Sequence, residues 1–255
     1  MPTAEIVTIG TELLLGEIVD TNTRFIARAL RDVGVDIYRT ATVGDNAERI
    51  AEIMRESLSR AEIVITTGGL GPTVDDPTRE AAALAVGVET EFRAELWEQI
   101  KDRFRGFGRI PTDNNKRQAY VPQNALALEN LWGTAPSFLV EKEGSVLISL
   151  PGVPYEMKNL LSDKVMPYLQ AHFDLSDVIK TRSLHTVGIT ESKIDELIDE
   201  FERLENPTVG LAAHRDSISI RITAKAGSGE EAKALIAEVE GQLRDLLEEW
   251  IMDIE

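Results

Sequence analysis

The 255-residue chain has no cysteine. Disulfides, thiolate zinc sites and thiol catalysis are therefore excluded. No apolar run approaches the roughly 20 residues needed to cross a bilayer. The opening "MPTAEIVTIG" has neither the basic nor the apolar region of a signal peptide and reads directly as a strand, so a cytoplasmic location is expected. Basic residues are scarce: 27 Lys and Arg against 44 Asp and Glu give a formal net charge of −17. A partner held through a nucleic-acid backbone needs a basic face, so none is expected, nor is a membrane partner. An anionic ligand would need helix N-termini, a few arginines or a divalent cation to offset repulsion. The sequence contains no G-x-x-x-x-G-K-[ST], G-x-G-x-x-G or G-x-S-x-G motif and no H-x-x-x-H pair, and it has no internal repeat or low-complexity tract. His172, His185 and His214 are dispersed and read as structural or exposed.

What remains is an ordinary globular composition, 43% hydrophobic and 28% charged, enough for one large domain or two. "EIVTIG" (5–10), "VDIYRTATV" (35–43) and "EIVIT" (62–66) read as strands. They alternate with amphipathic helices at 21–34 (stopping at Gly34), 45–60 (capped by Asp45) and 77–86. This β-α-β-α-β-α order predicts a doubly wound, mostly parallel sheet covered on both faces. Residues 93–107 look helical, and 108–125 form a polar, turn-rich excursion. "SFLVEK" and "SVLISL" make a hairpin about Glu143-Gly144, followed by a helix over about 155–171. From 178 the pattern changes to a compact β-α-β-β-α unit, with two strands around Arg215-Asp216 and a long acidic helix at 229–250. The expected domains are 1–173, α/β, and 178–255, a smaller α+β unit, with the boundary at 172–177.

In an open parallel sheet, ligands lie beyond the carboxyl ends of the strands. Three polar loops fall there: "GTELLLGEIVDTN" (10–22), "VGDN" (43–46) and "TTGGLGPTVDD" (66–76). In the third, Gly68, Gly69 and Gly71 let the main chain approach a ligand, and their amides can receive phosphate oxygens; a tight strand-to-helix turn is the alternative. Asp76 suits helix capping before Pro77, but capping needs one aspartate. Asp75 beside it fits a Mg²⁺-type ion, which takes one or two carboxylates together with substrate phosphates. Asp45 and Glu12 could complete the cluster, and Asp45 is also a capping candidate. In "TDNNKRQA" (112–119), Asn115, Lys116 and Gln118 offer amides and a cation for base, ribose and phosphate contacts, unless the loop is merely solvated. "GTAPSF" (133–138) and "PGVPYEM" (151–157) are further turn-rich loops, Gly152 standing where a ligand could be contacted.

Together "GTELLLGEIVDTN", "TVGDN", "TTGGLGPTVDDPTREA", "NNKRQA", "GTAPSF" and "LPGVPYEM" resemble the competence/damage-inducible CinA family, in order and over nearly the whole chain. More distantly, the first domain resembles the molybdopterin-binding fold of MogA, MoaB and MoeA, and the second the family's KH-like domain. The resemblance implies a divalent-metal-dependent pyrophosphatase acting on ADP-ribose or a related dinucleotide. Its implied phosphate contacts are Gly68, Gly69, Leu70 and Gly71, and its implied acidic pair is Asp45 and Asp76. It also implies ligand contacts from Glu12, Asn115, Lys116, Gln118 and the Pro151-Gly152 turn. On this reading Asp76, with Asp45 or Asp75, holds Mg²⁺ or Co²⁺, with K⁺ as an additional candidate, and the ion activates water. Lys116 and the loop amides would stabilise the transition state, and a homodimer is expected. Two departures stand out. Ser137 replaces the family's glycine, and the chain ends at Glu255 without the C-terminal domain that deamidates nicotinamide mononucleotide, so that activity is not expected. Residues 178–255 carry no GXXG clamp, so an interaction or dimerisation module is expected there instead of an RNA binder. The competing readings are a molybdopterin-binding or adenylyl-molybdopterin transferase protein without pyrophosphatase turnover, and a non-enzymatic nucleotide-binding regulator.

Overall fold

The computed structural model describes residues 2–175, 177–214 and 216–252. Met1, Ser176, the expected turn residue Arg215, and residues 253–255 of the expected second domain lie outside it. The chain divides near Asp174 into two compact units.

In the first unit, β1 (Thr3–Ile9) leads through a single helical turn, α1 (Thr11–Leu14), to α2 (Thr21–Asp32). Then come β2 (Asp36–Val43), α3 (Ala47–Leu58), β3 (Ile63–Thr67) and α4 (Thr78–Val86). The alternation follows from burial. All five residues of β3 and six of seven in β1 are buried, as strands covered on both faces require. By contrast α2 buries Asn22, Ile26 and Leu30, one stripe at i, i+4 and i+8. Strand β4 (Thr90–Phe92), α5 (Ala94–Gly106), β5 (Tyr120–Pro122) and β6 (Leu126–Leu128) follow, then the hairpin β7 (Ser137–Lys142) and β8 (Ser145–Leu150). The hairpin turns on Glu143 and Gly144 with φ of 51° and 89°, the left-handed pair a two-residue hairpin favours.

The main sheet runs β2-β1-β3-β8-β7-β6. Strands β2, β1, β3 and β8 are parallel, whereas β7 is antiparallel to both β8 and β6. The doubly wound expectation holds, with an antiparallel extension at one edge. From β1 the chain moves outward to β2 and then across to β3, so the strand order switches between β1 and β3, where ligand crevices open. At the opposite end of β1, the buried carboxylate of Glu5 takes hydrogen bonds from Ser57 (2.7 Å) and from Arg60 Nε and Nη2 (2.6 and 2.9 Å). Desolvation opposes its ionisation, but the Arg60 and Ser57 hydrogen bonds outweigh it and lower its pKa.

Several expected boundaries shift. Asn46, not Asp45, caps α3, accepting from the Arg49 amide at 3.1 Å. Likewise α4 begins with Pro77 at its cap position and no side-chain cap, because the Asp76 carboxylate is turned back into its own loop. The helix expected over 155–171 is three pieces: α6 (Pro154–Leu160), a π-type turn at Leu161–Val165, and α7 (Met166–His172). Pro167 has no N–H for the ladder, and the wider turn lies immediately before it. The polar excursion is also ordered. Asp113–Ala119 winds as a 3₁₀ helix, and β4 pairs with β5.

The second unit comprises β9 (Val178–Thr186), α8 (Glu191–Glu202), β10 (Thr208–Ala213), β11 (Ile218–Ala226), α9 (Gly229–Leu246) and β12 (Ile251–Met252). Its antiparallel sheet runs β10-β11-β9-β12, the last strand being one the sequence pattern does not announce. Its core joins Ile194 and Ile198 of α8 with Ile236 and Leu243 of α9 over Ile220 and Ile222 of β11. No helix among the described residues is long and apolar enough to cross a membrane.

Candidate functional site

A cleft of about 490 Å³ opens over the carboxyl ends of β1, β3 and β8. Its floor is main chain. The Gly68 amide donates to Leu150 O at 3.0 Å, and the Thr67 hydroxyl donates to Pro151 O at 2.8 Å. The buried Asn22 amide bridges Thr67 Oγ1 (3.0 Å) and Gly152 O (2.9 Å). There is no room for a side chain at this junction. A Cβ on Gly68, whose φ is +111°, would lie 2.1 Å from Ile9 O, and one on Gly152 would lie 3.3 Å from Gly68 Cα. Glycine is thus required at Gly68 by conformation and by contact.

Beyond Gly68, four consecutive carbonyls are drawn toward α4. Gly68 O accepts from the Thr78 hydroxyl (2.8 Å) and Gly69 O from the Thr78 amide (3.2 Å). Leu70 O accepts from Arg79 Nη2 (2.6 Å) and Gly71 O from Arg79 Nη1 (3.2 Å). In a planar trans peptide the N–H points opposite the C=O. The amides of Gly69, Leu70 and Gly71 therefore face away from α4, on the cleft side. None of the three donates a hydrogen bond within the described protein. Successive free amides at a helix N-terminus form an anion receptor.

Arg79 is 2% exposed, its Nε has no partner, and no described carboxylate lies within ion-pairing distance. Burial pushes its pKa down to about 10, with Glu80 and Asp76 acting weakly against that shift. The group remains a cation at neutral pH. Burying a charge without a counter-ion costs several kcal/mol, offset here in part by the two carbonyls.

The carboxylates line the cleft without converging. Asp76 Oδ2 accepts from the Thr73 amide (2.8 Å) and hydroxyl (2.6 Å), lying over Gly71, where a Cβ would come within 2.4 Å of it. Asp45 Oδ2 likewise accepts from the Thr11 amide (2.9 Å) and hydroxyl (2.7 Å). Glu12 folds back over Gly10. Among the described residues no three His, Asp or Glu groups could jointly hold a metal ion. The expected cluster of Asp45, Asp75 and Asp76, completed by Glu12, is therefore not assembled: hydrogen bonds hold the Asp45 carboxylate on Thr11 of the neighbouring loop and the Asp76 carboxylate in its own loop. Each keeps one oxygen uncommitted.

Of the sequence-predicted site residues, Glu12, Asp45, Gly68, Gly69, Leu70, Gly71, Asp75, Asp76, Gln118, Pro151 and Gly152 line this cleft. Asn115 and Lys116 do not. In a 3₁₀ helix residues three apart share a face. Asn115 is buried, its Oδ1 accepting from the Thr112 amide (2.8 Å) and its Nδ2 donating to Gln118 Oε1 (3.2 Å). Gln118 in turn reaches Thr134 (3.4 Å). Lys116 lies on another face, half-exposed and paired with Asp113 at 2.9 Å. Ser137 opens β7, fully buried with its hydroxyl unpartnered, and does not line the cleft.

Sequence reasoning missed Glu156. It lines the cleft and accepts from Asn130 Nδ2 at 2.6 Å. Burial raises its pKa, with Asn130 and Arg103 opposing. Asn130 also accepts from the Trp132 and Gly133 amides, both at 2.9 Å. The carboxylate rests on Gly133, where a Cβ would lie 1.8 Å from Glu156 Oε2. The only signal in the sequence was a glutamate in the first turn of a helix that starts at a strand end.

The family model described as "Probable molybdopterin binding domain" matches residues 5–171, and that of the "Damage-inducible protein CinA KH domain" matches residues 181–252. A Clostridium novyi protein, provisionally named competence-damage inducible, is 42% identical over 245 residues, covering 96% of this chain and 59% of its own length. A CinA-like protein of Kosmotoga olearia is 41% identical over 252 residues, covering 98% and 61%. The chain thus spans about three-fifths of the length of the curated relatives it matches. Among solved structures, CinA of unknown function from Thermoplasma acidophilum superposes with a TM-score of 0.61 at 33% identity, over 65% of this chain and 98% of that one.

Proposed function

The chain belongs to the CinA family, and from that premise we propose that its first domain hydrolyses the diphosphate linkage of ADP-ribose or a related dinucleotide. The observation that carries this reading is the set of three unbonded amides at Gly69, Leu70 and Gly71, facing a cleft lined by uncommitted carboxylate oxygens. Amides of this kind receive non-bridging phosphate oxygens and stabilise the charge that grows on them during displacement, with no reorganisation at the moment of reaction.

The donor set does not fit a preformed, all-protein metal centre. It does fit a hard cation that completes its shell with substrate phosphates and water, since such ions need only one or two carboxylates. The free oxygens of Asp76 and Asp45, with Asp75 beside them, would hold it. When bound, the ion supplies charge neutralisation and a more acidic water. The chain itself orients the substrate. The loop amides fix the diphosphate, Gln118 offers its amide to the nucleotide, and the Pro151-Gly152 turn bounds the floor. Water adds to one phosphorus, the bridging P–O bond breaks, and AMP and ribose 5-phosphate leave. Lys116, half-exposed and paired with Asp113, is given no role.

A second reading, a molybdopterin- or nucleotide-binding protein without turnover, draws support from the matched molybdopterin-binding domain and from carboxylates that do not converge. One experiment separates them. Metal-stripped protein is incubated with ADP-ribose, with and without Mg²⁺ or Co²⁺, and the products are chromatographed. Metal-dependent AMP and ribose 5-phosphate support hydrolysis. Calorimetric binding without products favours the second reading.

A further inference from the structure

We propose that Arg79 is a positioning residue for diphosphate recognition: buried behind the glycine loop, it fixes the loop's peptide planes and takes the bound ligand's negative charge as its counter-ion. The inference rests on reading the cleft as a diphosphate site.

The geometry argues for both halves. The two Nη atoms fork across successive carbonyls, Leu70 O at 2.6 Å and Gly71 O at 3.2 Å. Drawing those carbonyls inward turns the Gly71 amide toward the cleft, because the peptide between Leu70 and Gly71 is planar. An ammonium in the same place would keep the charge and could still donate to these carbonyls, but as a point charge without the fixed planar fork. Bracing alone would not call for a charge, since a glutamine amide could donate to one of the same carbonyls.

The charge is placed where the protein by itself gains least from it. Arg79 is the second residue of α4, at the positive end of the helix dipole, where acidic side chains are the favourable choice. It is shielded from water, ion-paired to no described carboxylate, and has an unpartnered Nε. Two positive sources, the helix terminus and the guanidinium, therefore lie behind one set of free amides. An anion seated on those amides satisfies both. In a chain of net charge −17 this concentrates local positive potential in a place that needs no exposed base.

The test compares the full wild-type chain with Arg79→Gln and Arg79→Lys by calorimetric titration with inorganic pyrophosphate and with ADP-ribose in Mg²⁺, alongside thermal melts. Glutamine keeps a donor and loses the charge; lysine keeps the charge and loses the fork. The expected result is pyrophosphate affinity at least tenfold weaker in Arg79→Gln and within about threefold of wild type in Arg79→Lys, so that binding follows charge and not melting temperature. Pyrophosphate affinity in folded Arg79→Gln equal to wild type overturns the inference, as does equal weakening in both variants in step with lost stability. If Arg79→Gln does not fold, a folded Arg79→Lys that has lost more than tenfold overturns it. Wild-type protein that binds neither ligand refutes the diphosphate reading itself, whereas a wild type that binds beside an unaffected Arg79→Gln refutes only the role of Arg79.

Discussion

Replacing Gly68 with alanine tests the main-chain floor of the cleft directly. At φ +111° a residue with a Cβ is strained by about 1–3 kcal/mol. The added methyl also meets Ile9 O at 2.1 Å. Ile9 O belongs to a buried strand end and cannot swing aside as a flexible side chain would, so overpacking costs a further roughly 1–3 kcal/mol. The control is Gly87, whose φ is +80° but whose added Cβ meets nothing within 4 Å. Gly87→Ala should lose only the left-handed penalty, about 1–2 kcal/mol. In a domain of this size about 1 kcal/mol shifts the melting temperature by roughly 2–4 °C. Differential scanning calorimetry of both variants should thus place the first-domain transition of Gly68→Ala several degrees below that of Gly87→Ala, with ADP-ribose binding lost in the former alone. A Gly68→Ala transition no lower than the Gly87→Ala one would refute the close approach between loop and strand.

Three further outcomes are expected. Asp76→Asn keeps an oxygen for the Thr73 amide and hydroxyl, so it should fold normally while kcat/KM for ADP-ribose falls at least about 100-fold; retained metal-dependent turnover, measured by product chromatography, sinks the assignment. Glu156 has a raised folded pKa, so its contribution to stability is full below the unfolded value and is lost as pH rises through the folded one. Glu156→Gln should accordingly gain on wild type in urea melts at pH 7 relative to pH 4, and a constant difference contradicts the buried carboxyl. Glu5 has a lowered pKa, so its contribution is present above the unfolded value and disappears as pH falls through the folded one. Glu5→Gln should flatten the acid limb of the stability profile, and an unchanged limb would count against the Arg60 pairing.

The strand-to-helix loops were legible because glycine clusters and apolar runs carry their own physics: Gly68, Gly69 and Gly71 are where backbone must do what side chains cannot. Helix boundaries were less so: Asp45 is the expected cap of α3, but the Thr11 amide and hydroxyl claim the aspartate and Asn46 caps the helix instead. Lys116 and Asn115 were misplaced because a polar run gives no hint of a three-residue period, and a 3₁₀ turn then sends neighbouring side chains to different faces. Arg79 was invisible inside "DPTREA", where an arginine in a helical pattern looks like solvated surface. Only the fold could reveal that this first turn packs against the back of the loop. Glu156 was hidden similarly, its partners Asn130 and Gly133 lying more than 20 residues away.

The meeting of Gly68 with Gly152, backbone on backbone, has a consequence for how such a cleft diverges. A main-chain floor tied together by the Thr67 and Asn22 side chains offers substitution little to alter, except at the expense of the sheet ends themselves. On the reading of this cleft as an anion site, changes of specificity fall to the walls, at positions such as Gln118, Thr134 and Glu156, and not to the main-chain seat.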